Sequence, residues 1–193
     1  MKFQESAIAH RYLDGLEGLE IGGSAHNPFG LNTINVDKFD IGSPGHLVYA
    51  VEQFRLCGEV LPVDVVAPGD HLPFEDKSFD FILSSHVIEH FWDPIAALKE
   101  WARVARRYIF IVCPHRDAHV PDREKPITPW QELLDRHAGI LPDPDIDDHH
   151  TRWTPDTFAA MCANLGLPVV EMLDPDDKVD NGFTVIIDLQ KSN

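Results

Sequence analysis

The chain has 193 residues, 44% of them hydrophobic, and carries 32 acids against 16 Lys and Arg, a formal charge of −16. That size suits one globular domain rather than two, and so acidic a surface repels phosphate backbones, which argues against nucleic acid as a partner. No apolar run approaches the roughly 18 residues that span a membrane, and MKFQESAIAHRYL lacks the apolar stretch of a secretory signal, so a cytoplasmic protein that engages no membrane is expected. A helix is predicted over about 4–15, then strand 18–22, a short connection, and strand 33–37. A helix near 44–57 and strand 60–66 follow. After the turn PGDHLPFEDKS come strand 79–84, a helix near 93–105 and strand 108–112. Residues 113–153 are rich in Pro, His and Asp and hold one helical patch near 129–138. A helix at 154–165 has Thr154 as its cap and Pro155 at its first position. Strands 167–173 and 183–189 close the chain, joined by an Asp-rich turn ending in Asn181-Gly182, and are expected to be antiparallel.

Alternating β and α with apolar strand runs implies a mostly parallel sheet covered by helices on both faces. Cys57, Cys113 and Cys162 are an odd number with no CxxC pair, and read as buried thiols. Ligands of doubly wound sheets sit beyond the carboxyl ends of the strands, where glycine admits a close backbone approach and an acid after the next strand takes ribose hydroxyls. Gly22, Gly23 and Asp37 fit those roles. About ten residues separate Gly23 from the second strand, too few for the helix N-terminus that a dinucleotide pyrophosphate needs. The loop therefore suits a cofactor with ribose and no phosphate.

LEIGG followed by INVD, then LPFEDKSFDFILSSHVIEHFWDPIAALKEWARV and YIFIVCPH, resembles the class I S-adenosylmethionine-dependent methyltransferases, specifically the small type-11-like group, over residues 15–115. The resemblance implies a doubly wound, mostly parallel, Rossmann-like α/β sheet with an antiparallel last strand. It implies S-adenosylmethionine as cofactor, with Glu20, Gly22, Gly23 and Ser24 around its methionine part and Asp37 on the ribose. Asp70, or alternatively Asp64, would lie near the adenine, and Ser84, Ser85 and His86 at the exit of the fourth strand. This chain departs from the family's ExGxGxG at Ser24 and His26, and has Arg106-Arg107 where a Gly-Gly turn usually precedes the fifth strand.

His86-Val-Ile-Glu89-His90 also spells HxxEH, a zinc-hydrolase pattern in which two His share a helix face beside a general-base Glu. Strand FDFILS leads straight into it, so a strand–helix junction is expected, with Glu89 and His90 bonded within it and no metal held.

Methyl transfer is an in-line displacement at a sulfonium, in which the protein aligns the acceptor and, for a hydroxyl, removes its proton with a base titrating near neutrality. His115, His119, His149 and His150 are the candidates. His149 and His150 are preferred because Asp147 and Asp148 stand beside them and would raise an imidazole pKa; His115 and His119 also have HxxxH spacing. His10, His46, His71 and His137 receive no functional role. Residues 113–153 are long for a loop and read as a substrate-side lid within one domain, 1–193, with Trp130 and Trp153 as apolar surfaces or as fasteners of the lid, and Arg116, Arg123 and Arg152 to pair with an anionic acceptor. The short N-terminal segment leaves little room for a substrate domain, so a second subunit, in a homodimer, could complete the cleft. The expected function is methyl transfer to an oxygen of a small-molecule or sugar-containing acceptor. The alternatives are a catalytically degenerate binding protein of the same fold and the HxxEH hydrolase.

Overall fold

A computed structural model describes residues 3–23 and 29–191. Its seven-stranded sheet has the order β3-β2-β1-β4-β5-β7-β6, with β1 Gly18–Ile21, β2 Thr33–Asp37, β3 Val65–Val66, β4 Phe79–Ser85, β5 Ala105–Pro114, β6 Val169–Leu173 and β7 Gly182–Asp188. The β1–β2, β1–β4, β2–β3 and β4–β5 pairs are parallel, while β7 runs against both β5 and β6. The expected antiparallel last strand is thus present. Strand order reverses between β1 and β4, and a crevice opens there at their carboxyl ends, the usual ligand position of such sheets.

Alternation along the central strands builds a core on each face. Phe81 and Leu83 of β4, with Tyr108, Phe110 and Val112 of β5, pack beneath α1 (Ala7–Leu13). Their neighbours Ile82, Ile109, Ile111 and Cys113 face the larger core formed with α3 (Pro94–Val104) and α5 (Pro155–Asn164). Side-chain period two on buried strands explains the partition. These three helices begin where their caps stand: Ser6 Oγ accepts from Ala9 N, Asp93 Oδ1 from Ala96 N, and Thr154 forms a capping box with Thr157. Asp177 accepts from Ser6 Oγ and Ile8 N, which fastens the N-terminal helix to the β6–β7 connection. Helix α2 (Pro44–Cys57) buries only Gln53 and leaves Leu47, Val48, Val51 and Phe54 exposed.

Two strand expectations change. Only Val65–Val66 of the predicted 60–66 pairs, because Pro62 has no N–H and its carbonyl accepts from Asn35 Nδ2, while Leu61 N goes to Gln53 Oε1. Strand β5 starts at Ala105, so Arg106 and Arg107 are strand residues: Arg106 bonds Asp80 and the Lys77 and Ser78 carbonyls, and Arg107 stacks on Tyr108. Among the described residues no helix is long and apolar enough to cross a membrane.

Candidate functional site

A cavity of about 550 Å³ opens at the carboxyl end of the sheet, lined by Gly22, Asp37, Asp70, His86, His90 and His150 among others. Its volume suits a nucleoside-sized ligand. Gly22 follows β1 at φ +66, and a Cβ there would come within 2.7 Å of Val87 Cγ2. Only glycine fits that backbone and that approach. Gly23 is held from behind: its N–H donates to Asn35 Oδ1 at 3.1 Å and its carbonyl accepts from Asn35 Nδ2 at 3.2 Å. Asn35, in the INVD strand, is a supporting residue that sequence reasoning passed over, and its position one strand across from Glu20 in the β1–β2 register is the signal that could have found it.

Glu20 is buried beneath the glycine turn, and burial pushes its carboxyl up to about 7, against the nearby Lys178 charge and a weak bond from Thr33. Asp37 closes β2, accepts from Phe39 N at 2.8 Å and lines the cavity; burial raises its pKa, opposed by that backbone bond. Asp70 lines the cavity with Pro68 and Gly69, whereas Asp64 is occupied by Asn35 N at 2.8 Å. The turn carrying Asp70 is fixed by Trp101, whose Nε1 donates to Gly69 O at 2.8 Å. Ser84 and Ser85 end β4 just below the cavity; their Oγ atoms are buried without a partner among the described residues. Ser24, like His26, lies outside the described residues.

His86 follows β4 in the left-handed region, φ +55, and leads directly into the single 3-10 turn Ile88–His90. His86 and His90 therefore never share a helix face, and the zinc-hydrolase geometry of HxxEH does not form. The junction is bonded through its backbone: Glu89 O accepts from His150 N at 2.8 Å and from Thr151 N at 3.2 Å, which ties the end of the 113–153 segment to β4.

That segment brings acid to the rim. Asp143, Asp145, Ile146 and Asp147 border the cavity. Asp147 accepts from Lys38 Nζ at 3.1 Å and from Tyr49 OH, and its Oδ1 lies 3.5 Å from His90 Nδ1. These partners hold its carboxyl well below the usual range, the His90 contact foremost, against partial burial.

The four candidate bases separate. His150 lines the cavity, and its Nε2–H donates to Ile146 O at 3.0 Å, which leaves the lone pair on Nδ1. His149 does not line it; its Nδ1 bonds Asp122 Oδ2 at 2.6 Å and its ring stands edge-on to His90. The predicted pairing with Asp147 and Asp148 is corrected: its side-chain partner is Asp122, and burial, with the His90 charge, lowers rather than raises its pKa. His115 bonds Asp174 at 2.7 Å and His119 bonds Asp122 at 3.2 Å, so the HxxxH pair is divided between two acids. Arg116 and Arg123 bond carbonyls within the 113–153 segment, and Arg152 bonds Asp122 and two carbonyls. Trp153 is fully buried against Phe158 and Trp130 packs on the same core, so both fasten the segment to the sheet.

Residues 39–113 match the methyltransferase domain family Methyltransf_11. This stretch, less than half of the chain, is what resembles the type 11 methyltransferases, and the sheet order is that of their Rossmann-like fold. A probable S-adenosylmethionine-dependent methyltransferase of Mycobacterium tuberculosis is 38% identical over 82 residues, which cover 40% of this chain and 30% of that protein. The chain thus matches about a third of the length of its curated relatives. A methyltransferase structure from Methanosarcina mazei superposes with a TM-score of 0.55 at 18% identity, covering 97% of this chain and 98% of that one. Magnesium protoporphyrin IX methyltransferase from Synechocystis, solved with bound S-adenosylhomocysteine, gives 0.50 at 13% identity, covering 94% and 76%. At those identities the structures show the fold. Within this fold, Gly22, Asp37, Asp70 and His86 border one cavity; Glu20, Gly23, Ser84 and Ser85 stand at the strand ends behind it.

Proposed function

We propose that the protein transfers a methyl group from S-adenosylmethionine to an oxygen of a small-molecule or sugar-containing acceptor. The observation that carries the cofactor is the cavity at the β1/β4 reversal, where a backbone that only glycine fits faces the β2 carboxylate of Asp37. The residues suit the group: Asp37 has the chemistry to accept from vicinal ribose hydroxyls, Gly22 leaves room for the amino-acid part, and Asp70 in the same wall offers an acceptor to an adenine amino group. When bound, the cofactor supplies an electrophilic methyl. This chain then aligns the acceptor, excludes water with the 143–147 rim, and holds a proton acceptor. His150 is the base this reading selects, because it alone of the four candidates lines the cavity and its Nε2–H is tied to a carbonyl.

Calorimetry with S-adenosylhomocysteine tests the cofactor. One site per chain is expected, NAD should not compete, and Asp37→Ala should weaken binding by about 1–3 kcal/mol, the usual value of hydrogen bonds to a charged group. Absence of heat, or equal binding by the variant, rejects the cofactor assignment. With an acceptor identified by its mass gain, His150→Ala should lose about 10²–10⁴-fold in turnover at unchanged S-adenosylhomocysteine affinity. Cofactor binding with no product from any hydroxyl-bearing acceptor would favour the degenerate binding protein.

A further inference from the structure

We propose that Glu89, His90 and His149 hold a divalent first-row transition metal just behind this cavity, whose wall includes His90. Each offers one ligand atom, and the three atoms lie within 4.8 Å of one another. A single ion at ordinary ligand distances of about 2 Å can reach all three after small side-chain adjustments. Glu89 is 2% exposed and its Oε2 has no hydrogen-bond partner among the described residues. A buried carboxylate oxygen left bare is costly, and a cation is the partner that the two neighbouring imidazoles equally suit.

The group that would orient His149 is already in place. Asp122 accepts His149 Nδ1–H at 2.6 Å, which leaves His149 Nε2 with its lone pair, the carboxylate–histidine arrangement that commonly orients a metal-bound imidazole. Asp122 could instead be a ligand in a group with His119 and His149. Its charge is already matched, however, by Lys125 and Arg152, each at 3.3 Å, and it also bonds His119 at 3.2 Å, so it serves as the orienting group. Two imidazoles and one carboxylate favour zinc, cobalt or manganese over magnesium. Three protein ligands leave coordination positions open, and His90 places the ion against the cavity. That these positions take an oxygen of the acceptor is the part of the inference that rests on the methyl-transfer reading. The site differs from the HxxEH pattern, since His86 takes no part and His149 arrives from 60 residues along the chain. It also replaces the expectation that this junction holds no metal.

The test uses the full chain stripped with chelator and titrated with ZnCl₂ by calorimetry and with CoCl₂ by visible absorption. One equivalent of each should bind, cobalt giving the d–d bands of a low-coordinate nitrogen–oxygen site, and MgCl₂ should not compete. Asp122→Asn should weaken zinc binding about 10–100-fold, Glu89→Gln and His149→Ala should weaken it further, and His10→Ala should leave it unchanged. Glu89→Gln keeps the side-chain shape and removes only the charge, and its thermal melt confirms folding. Zinc should raise the melting temperature of the wild type and not of Glu89→Gln. No heat and no cobalt bands, or Glu89→Gln and His149→Ala binding as the wild type does, overturns the site. Acetohydroxamate, an oxygen chelator, should shift the cobalt bands; bands that do not move overturn the open positions. Parallel titrations with S-adenosylhomocysteine separate the two readings: metal binding without cofactor binding retires methyl transfer and keeps this site, and the reverse retires this site alone.

Discussion

Glu20 shows how a single buried side chain sets pH dependence. Its ordinary carboxyl pKa of 4.5 is lifted to about 7 because burial disfavours the charged form more than Lys178 favours it. An acid whose folded pKa is raised keeps its proton longer in the folded state than in the unfolded one. Stability therefore falls as pH rises from about 4.5 through 7, and the penalty is complete above that window. The full shift corresponds to roughly 3 kcal/mol. Glu20→Gln removes the titration, so urea melts of variant and wild type should agree most closely near pH 4.5 and diverge in favour of the variant by pH 8. The comparison isolates Glu20, since the similarly raised Glu89 is present in both proteins. A constant difference across that range would show that Glu20 ionises freely when folded.

At the scale of elements, α3 acts on the cavity without lining it. Asp93 caps the helix, Pro94 starts it, and Ile95, Leu98, Trp101 and Val104 form the stripe that packs on the sheet. Trp101 extends past that stripe to hold Gly69 O, and Gly69 and Asp70 are cavity wall. Trp101→Phe retains most of the apolar contact and removes the indole donor, leaving a carbonyl unsatisfied. The expected cost is about 1–3 kcal/mol in unfolding free energy. Affinity for S-adenosylhomocysteine should also fall severalfold, because the turn that carries Asp70 loses its fixed position. A destabilised variant with full affinity would confine Trp101 to the core.

Across the whole molecule, charge is the dominant feature. A net −16 on 193 residues makes the folded state repel itself, and salt screens repulsion between exposed charges beyond about 10 Å at 0.1 M. Raising NaCl from ~20 to ~200 mM should therefore raise the melting temperature, by about 2–4 °C for each kcal/mol relieved in a chain of this size. Surface pairs such as Arg103–Glu100 and Arg106–Asp80 act in the other direction, but exposed ion pairs are each worth little. A fall in melting temperature would mean that such pairs outweigh the net repulsion.

The sequence by itself determined the sheet and the strand-end residues that line one side of the cavity. Helices 44–57 and strand 33–37 appear where predicted, because caps, proline positions and period-two burial are local properties. Gly22 and Asp37 were legible for the same reason: a glycine after one strand and an acid ending the next acquire their positions from strand direction alone. The tertiary structure decided everything that depends on where 113–153 lies. It paired His149 with Asp122 across 27 residues, set Asp147 against Lys38 and Tyr49, and brought His149 beside Glu89 and His90. Acids adjacent in sequence to His149 suggested a raised pKa, whereas burial and a neighbouring imidazole lower it. Loop placement follows from long-range packing, here Trp153 in the core and Glu89 O holding the His150 and Thr151 amides, and no periodicity within the loop encodes it.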